Sequence, residues 1–327
     1  MATGFARRDL RRLGAALAVV AAGAFGTAAQ AAPLTTVRVA DFQNSIALPL
    51  YYGVQKGYFR DAGLDIQFVK IASGAASVAA VASGAADIGL SATSVPIFAR
   101  ANGVPVKAFM TADQEGPGHH GTFIDASARS GVTAFNQMKG KTVMINAFGT
   151  AGELAIRERL LDAGVAWKDV NKVIVPFPQM PAALQLGNAD VAITIQPMQT
   201  AIMANKDIGA RVLDTGTLSE SHKVAVTASC YFATDSWLAK NRDAAIAFGR
   251  AYLRAQKEVH ADHELRIALV MKVAGMKREV AEQVPESWFE MLAVTKASLG
   301  PNYDALVRTG MMAKPFPVDD VIATLPY

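Results

Sequence analysis

The chain has a single cysteine, Cys230, in 327 residues. That excludes an internal disulfide, argues against a cysteine-based zinc cluster, and leaves core packing as the expected role of the thiol. Charge is scarce as well, at 18% of residues, and the formal net charge of +4 is partly owed to the N-terminus. Residues 1–31 hold four arginines and one aspartate, so the chain without them stands at +1. A nearly neutral chain offers no broad basic face for nucleic acid. Gly-x-Ser-x-Gly, a Walker loop and His-Glu-x-x-His are all missing, which removes the usual hydrolase, nucleotide and zinc-protease readings. The neighbouring pair His119-His120 cannot readily converge on one ion, and no cysteine or carboxylate cluster follows it. A solvated loop is expected there, with no metal and no cofactor.

What is present begins with a targeting segment. Arg7, Arg8, Arg11 and Arg12 precede an uncharged run from Leu13 to Ala29, closed by Ala29-Gln30-Ala31, a small-x-small cleavage signal. The run is shorter than the ~20 residues of a membrane span. Residues 1–31 are therefore expected to be a cleaved signal peptide, with Ala32 opening the mature chain. Arg7-Arg8-Asp9-Leu10 fits a twin-arginine signal and an ordinary Sec leader equally, and both stay open. With Cys230 far from the cleavage point no lipid anchor is expected, which points to a freely diffusing protein held in a periplasm. The 296 residues that remain exceed one comfortable core and imply two domains.

One pattern is written twice. The run Thr36–Ala40, a helix through Tyr51–Phe59, Asp61-Ala62-Gly63-Leu64, a strand at Ile66–Ile71, an alanine-rich helix and Gly84-Ala85-Ala86-Asp87-Ile88 form the first copy. About a hundred residues later come Thr142–Ile145, a helix through Glu153–Leu161, Asp162-Ala163-Gly164-Val165, a strand at Lys172–Val175, another helix and Gly187-Asn188-Ala189-Asp190-Val191. Both read β-α-β-α-β, with glycine where each helix must turn left-handed to end. The strands are short apolar runs without alternation, as in parallel sheets covered on both faces. The expected fold is thus α/β, two doubly wound lobes around a ligand cleft. Ser229–Thr234 reads as a later strand and Asp235–Val259 as one long helix, with helical sequence continuing to Leu306. The lobes are placed at 32–113 with 233–327, and at 114–232, with crossings in Gln114-Glu115-Gly116-Pro117-Gly118 and His222–Phe232.

Ordered fragments across most of the chain resemble the nitrate/sulfonate/taurine-binding family of ABC importer proteins, which also includes binders of thiamine precursors. They are Tyr52-Gly53-Val54-Gln55-Lys56-Gly57-Tyr58-Phe59, Ala62–Ile66, Ser83–Gly89, Leu90–Pro96, Met138–Val143, Gly149-Thr150, Ala182–Asp190 and Gln196-Pro197. The resemblance implies a type II periplasmic binding fold whose lobes close over one small solute, and delivery to a permease driven by an ATPase. A monomer is expected from the leader and the absence of a lipid-bearing cysteine or later span, and no catalytic role is expected, since catalytic motifs are missing and related enzymes work in the cytosol. Members often carry tryptophan and glutamate before the proline matching Pro197, where this chain has Ile195 and Gln196. An amine-bearing ligand is not inherited from the family on that evidence.

Ligands of such sheets sit beyond the carboxyl ends of the strands, where helix N-termini offer free N–H groups. The loops there supply the candidate ligand-binding residues: Phe42, Gln43, Asn44, Ser73, Gly74, Ser91, Thr93, Asn146, Phe148, Thr150, Gln179 and Gln196. Ser73 and Thr150 are equally suited to capping helices. Phe42, Phe148 and Phe177 suggest an apolar clamp. With no lysine or arginine in these loops, an anion would rely on hydroxyls, amides and backbone donors. The expected solute is a small organic acid, carboxylate or sulfonate, with an apolar or aromatic body. A neutral heteroaromatic such as a pyrimidine is the runner-up, and an enzyme on the same fold is the competing class.

Overall fold

The computed structural model describes residues 33–41, 44–289 and 293–327; the expected signal peptide and the candidates Phe42 and Gln43 lie outside them. Five strands form a first sheet, β1 (Thr35–Asp41), β2 (Leu64–Lys70), β3 (Ile88–Ala92), β4 (Val106–Glu115) and β10 (Val226–Thr234), ordered β2-β1-β3-β10-β4. A second sheet contains β5 (Thr122–Ala126), β6 (Thr142–Ile145), β7 (Asn171–Ile174), β8 (Val191–Ile195) and β9 (Arg211–Thr215), ordered β7-β6-β8-β5-β9. The two orders are the same. In each, three parallel strands are followed by one antiparallel strand, β10 or β5, which enters beside the third.

Helices α1 (Leu48–Lys56), α2 (Tyr58–Asp61), α3 (Gly74–Ala82) and α4 (Ser94–Ala101) connect the first sheet. The second is connected by α5 (Ala151–Asp162), α6 (Met180–Leu186) and α7 (Met198–Ala204). The C-terminal part supplies α8 (Asp235–Lys240), α9 (Arg242–Ala261), α10 (His263–Ala274), α11 (Arg278–Ala281) and α12 (Lys296–Arg308). The helix expected over Tyr51–Phe59 is broken at Gly57, whose φ of 82° ends α1 with a left-handed cap. The one long helix expected over Asp235–Val259 is likewise two, parted at Asn241.

The repeated Gly-x-x-Asp motif has a mechanical use. Asp87 accepts from the Arg38 backbone N–H at 2.8 Å, and Asp190 accepts from the Thr142 N–H at the same distance. Each aspartate thus ties the start of its lobe's third strand to the first. In the first lobe Arg38 adds a two-pronged side-chain contact to Asp87 (2.9 and 2.7 Å).

Helix α9 covers the first sheet with Ala245, Phe248, Tyr252, Ala255 and Val259, spaced by three and four residues and all buried. Phe248 packs against Phe59, Phe109 and Tyr231 at centroid distances of 5.3, 6.4 and 5.2 Å. Cys230 is fully buried in the neighbouring cluster, its thiol pushed up to about 12 by burial, so it packs rather than reacts. The second sheet is filled by Ile124, Val143, Ile145, Ile156, Leu160, Val191 and Ile193.

The stretch through Phe232, expected in the second lobe, is a strand of the first sheet. Every residue from Val226 to Ala233 is buried, and β10 pairs with both β3 and β4. An apolar run covered on both faces belongs inside a sheet, so the return crossing ends before Val226. The segment from β4 to β5 is 116–121, which overlaps the expected crossing only at Gly116-Pro117-Gly118, because Gln114 and Glu115 end β4.

Candidate functional site

A cavity of about 60 Å³ lies where the carboxyl ends of both sets of parallel strands converge. The first lobe contributes Ile46, Gly74, Ala92 and Val95 from beyond β1, β2 and β3, all small or aliphatic. It adds Asp113 and Glu115 from β4 and Ser229 from β10. The second lobe contributes Thr122 from β5, Asn146 and Thr150 from the loop after β6, Phe177 after β7, Thr194 at the end of β8, and Thr217 after β9. Among the described residues no lysine, arginine, histidine or cysteine lines it.

The structure brings only part of the expected set to this cavity. Gly74, Asn146 and Thr150 line it. A methyl group on Gly74 would sit 3.1 Å from Ser91 Cβ and 3.2 Å from Val95, so glycine is what lets the loop approach. The Thr150 hydroxyl lies 3.1 Å from Asn146 Oδ1 and 2.8 Å from the Ala147 carbonyl, oriented as donor to both. The first turn of α5 is partly neutralised from within, because Glu153 accepts from the Gly149 N–H at 2.7 Å.

The other candidates hold the loops in shape. Ser73 caps α3 by accepting from the Ala76 N–H (3.2 Å). Asn44 takes the N–H groups of Ile46 and Ala47 (2.9 and 3.2 Å). Ser91 donates to the Ala92 carbonyl, and Thr93 is fully buried away from the lining. Gln196 is buried in a network with Gln199 and Thr200, and lines a smaller adjoining cavity with Ser45, His119 and His120. Gln179 is exposed. Phe148 is 54% exposed and off the lining, because the loop turns left-handed at Gly149 (φ 70°) and seats that glycine against Phe98. The aromatic contribution comes from Phe177 instead. His119 is exposed, as expected of a solvated loop, and stacks on Trp288 at 5.2 Å, while half-buried His120 lies 4.4 Å from His222.

The groups that strand-end reasoning missed sit on the crossing strands. Glu115 is fully buried and accepts three backbone N–H groups, from Gly121 (2.9 Å), Thr122 (3.0 Å) and Thr217 (2.7 Å). One carboxyl group thereby holds both crossings. Burial raises its pKa, while the three donors and Arg159 oppose that rise. Arg159 of α5, 3% exposed, grips the far side by donating to the carbonyls of Thr215, Gly216 and Thr217 and to Asp214. Asp125, behind the second wall, accepts from the Thr194 hydroxyl at 2.7 Å and is pushed up to about 7 by burial.

Asp113 is the remaining acid. It is 3% exposed, burial pushes it up to about 7, and its Oδ1 meets no hydrogen-bond partner among the described residues. The signal for these residues was in the sequence, in the acidic run Asp113-Gln114-Glu115 that leads into Gly116-Pro117-Gly118. Asp41, at the end of β1, accepts from the Tyr51 hydroxyl.

A family model described as NMT1/THI5 like matches residues 44–264. The chain belongs to that family. Its relatives fall into two kinds. A binding protein, YtlA, of Bacillus subtilis (strain 168) is 30% identical over 236 residues, covering 69% of this chain and 66% of that protein. A 4-amino-5-hydroxymethyl-2-methylpyrimidine phosphate synthase of Candida albicans (strain WO-1) is 29% identical over 216 residues, 64% of this chain and 62% of that one. The chain thus spans slightly less than two thirds of either relative. Among solved structures, the alkanesulfonate-binding protein SsuA from Xanthomonas axonopodis pv. citri bound to MOPS superposes with a TM-score of 0.75 at 17% identity, covering 90% of this chain and all of that one. The fold of this NMT1/THI5-like chain is therefore the two-lobed α/β fold of periplasmic binding proteins, as its doubled strand order requires.

Proposed function

We propose that this chain is the solute-capturing component of an ABC importer, that it catalyses no reaction, and that its solute is a small organic anion with a carboxylate or sulfonate head. The observation that carries the reading is the enclosed cleft itself, walled by strand ends from both sheets and spanned by two crossings. Helix N-termini and strand ends are where such sheets take up ligands. The Asn146 side-chain N–H and the one proton left over in the Thr122–Thr217 hydroxyl pair suit an oxyanion head, the Thr150 and Thr194 hydroxyls being spent on Ala147 and Asp125, and Phe177 with Ile46 and Val95 suits an apolar body. A bare inorganic anion would leave that apolar lining without a partner. Among the described residues no histidine, lysine or cysteine lines the cavity to attack a substrate or to activate the lining hydroxyls, which favours binding over the synthase activity named for some relatives.

In this reading the lobes are residues 34–115 with 226–327, and 116–225, and they close by hinge motion at 116–121 and 216–225. The closed monomer docks on a permease powered by an ATPase. The leader 1–31 is cleaved, and the protein works in the periplasm from Ala32. Intact mass of periplasmic material checks this last point: a retained leader or an acylated terminus overturns it.

A thermal-shift screen over aromatic and aliphatic carboxylates, sulfonates, nitrate and pyrimidines tests the ligand class. A true ligand at about 100 Kd adds roughly 2.7 kcal/mol and raises Tm visibly. Organic acids are expected to respond, and a response to nitrate alone overturns the reading. The second reading, a neutral nitrogen heteroaromatic, is favoured by Asp113 Oδ1, which would accept from a ring amine. A response confined to pyrimidines would establish it.

A further inference from the structure

The cleft proposed to hold an anion is walled partly by acids, and that conflict has a chemical resolution. Asp113 and Glu115 both line the cavity, and both are almost completely buried. Glu115 is committed to three backbone donors, whereas Asp113 Oδ1 has no hydrogen-bond partner among the described residues. Among the described residues no lysine, arginine or histidine lines this cavity to hold Asp113 ionised.

We propose that Asp113 acts in the closed cleft as a neutral carboxylic acid, donating a hydrogen bond from Oδ1 to the head of the captured organic anion, so that capture is linked to uptake of one proton. A carboxylic acid is the one form of this side chain that can donate, and a low-dielectric site stabilises that form. The proton comes from solution and sits between Oδ1 and the ligand oxygen, and no bond to carbon forms or breaks. Anion binding then deepens the protonation that burial has begun. The inference rests on the organic-anion reading above.

The groups facing Asp113 do not replace it in this role. On its own strand Glu115 carries like charge and disfavours ionisation of Asp113. From β10, Ser229 favours the ionised form by hydrogen bonding, while Cys230 and Tyr231 are held neutral by burial, and so is Tyr252 of α9. From the crossing, His120 is pushed down to about 4 by burial and its neighbours, so it stays neutral between pH 6 and 8. His119 shares the adjoining cavity with Asp113 and must be controlled for. Arg159 faces Glu115.

The test is calorimetry with the best-binding organic acid of the screen, starting from benzoate and ethanesulfonate, at pH 6 and pH 8. With Asp113 titrating at about 7, Kd is expected to rise about tenfold between the two values, with up to one proton taken up per site at the higher pH. The proton count is read by repeating the titration in buffers of different ionisation enthalpy. Asp113→Asn keeps a donor at that position and should flatten the dependence, binding more tightly than wild type at pH 8. His119→Gln should retain the dependence. If affinity is flat or rises with pH, or if the dependence survives in Asp113→Asn, this inference falls while the organic-anion reading stands. If no organic acid binds at all, both fall together.

Discussion

The two walls of the cleft are built by the same strand order and carry opposite chemistry. On the first wall the loops after β1, β2 and β3 offer Ile46, Gly74, Ala92 and Val95; on the second the corresponding loops offer Asn146, Thr150, Phe177 and Thr194. A repeated scaffold therefore does not impose a repeated site. Parallel order, left-handed helix ends and the aspartate that ties first strand to third are shared. The residues just beyond the strands are free to diverge, because they carry little of the packing that the scaffold needs. The first wall's loops can then shape the body of a solute while the second wall's loops, with Asp113 of β4 beside them, hold its head.

The largest expected effect is at the group that joins the walls. Glu115→Ala strips three buried N–H groups of their acceptor, at roughly 1–3 kcal/mol each. Urea unfolding should show a loss of about 4 kcal/mol, with Glu115→Gln losing much less. If both variants lose little, the crossings do not depend on this carboxyl group.

The next comparison lies within the second wall. Phe177 is 9% exposed and lines the cavity, while Phe148 is 54% exposed. Phe177→Ala is expected to cost about 3 kcal/mol of stability and to weaken an aromatic ligand more than an aliphatic one of the same head. Phe148→Ala should stay within about 0.5 kcal/mol and leave affinity unchanged. Equal effects from the two would remove the distinction drawn between them.

Asp125 tests what stands behind the polar wall. Its folded pKa of about 7 lies above the ordinary 3.8, so the native state keeps a proton that the unfolded chain has lost. The stability this contributes is complete below about pH 4 and is lost as pH rises through about 7. Asp125→Asn retains an acceptor for Thr194 and removes the titration. It should therefore gain on the wild type between pH 5 and pH 8 by on the order of 2 kcal/mol. A constant difference across that range would show that Asp125 ionises normally.

The smallest effect separates the walls directly. Asn146→Ala should weaken a carboxylate or sulfonate by about tenfold, one hydrogen bond from the side-chain N–H to a charged group, whatever its body. Gly74→Ala, with its methyl 3.1 Å from Ser91 Cβ, should instead discriminate by ligand width. Calorimetry over a short series of acids differing in head and in bulk distinguishes the two patterns, and matching responses from both variants would erase the division of labour.

Much of the architecture was legible because it depends on local signals. The strand Thr142–Ile145 lies where its apolar run places it, and Gly63 and Gly164 take the left-handed turns their positions demand. Three candidates, Gly74, Asn146 and Thr150, reach the cavity through the same strand-end logic. Ser73 and Asn44 do not, because a hydroxyl or amide beside an open helix end is drawn to the nearer backbone donors. Phe148 was misread since exposure depends on a turn whose direction no periodicity reveals. Asp113 and Glu115 were passed over for a different reason. They lie at the ends of long crossing strands, and their place in the cleft depends on β4 meeting β10, a pairing between residues more than a hundred positions apart.

That same pairing sets an order of events on the ribosome. Glu115 stands opposite Val226, and everything between them, including all five strands of the second sheet, is one unbroken segment. The second sheet is thus fully synthesised while the first still lacks the strand between β3 and β4. An interrupted sheet with a gap at its fourth place must wait, its long-range contacts deferred, until β10 emerges and fills it. The half that is made first in the chain is the half that is finished last.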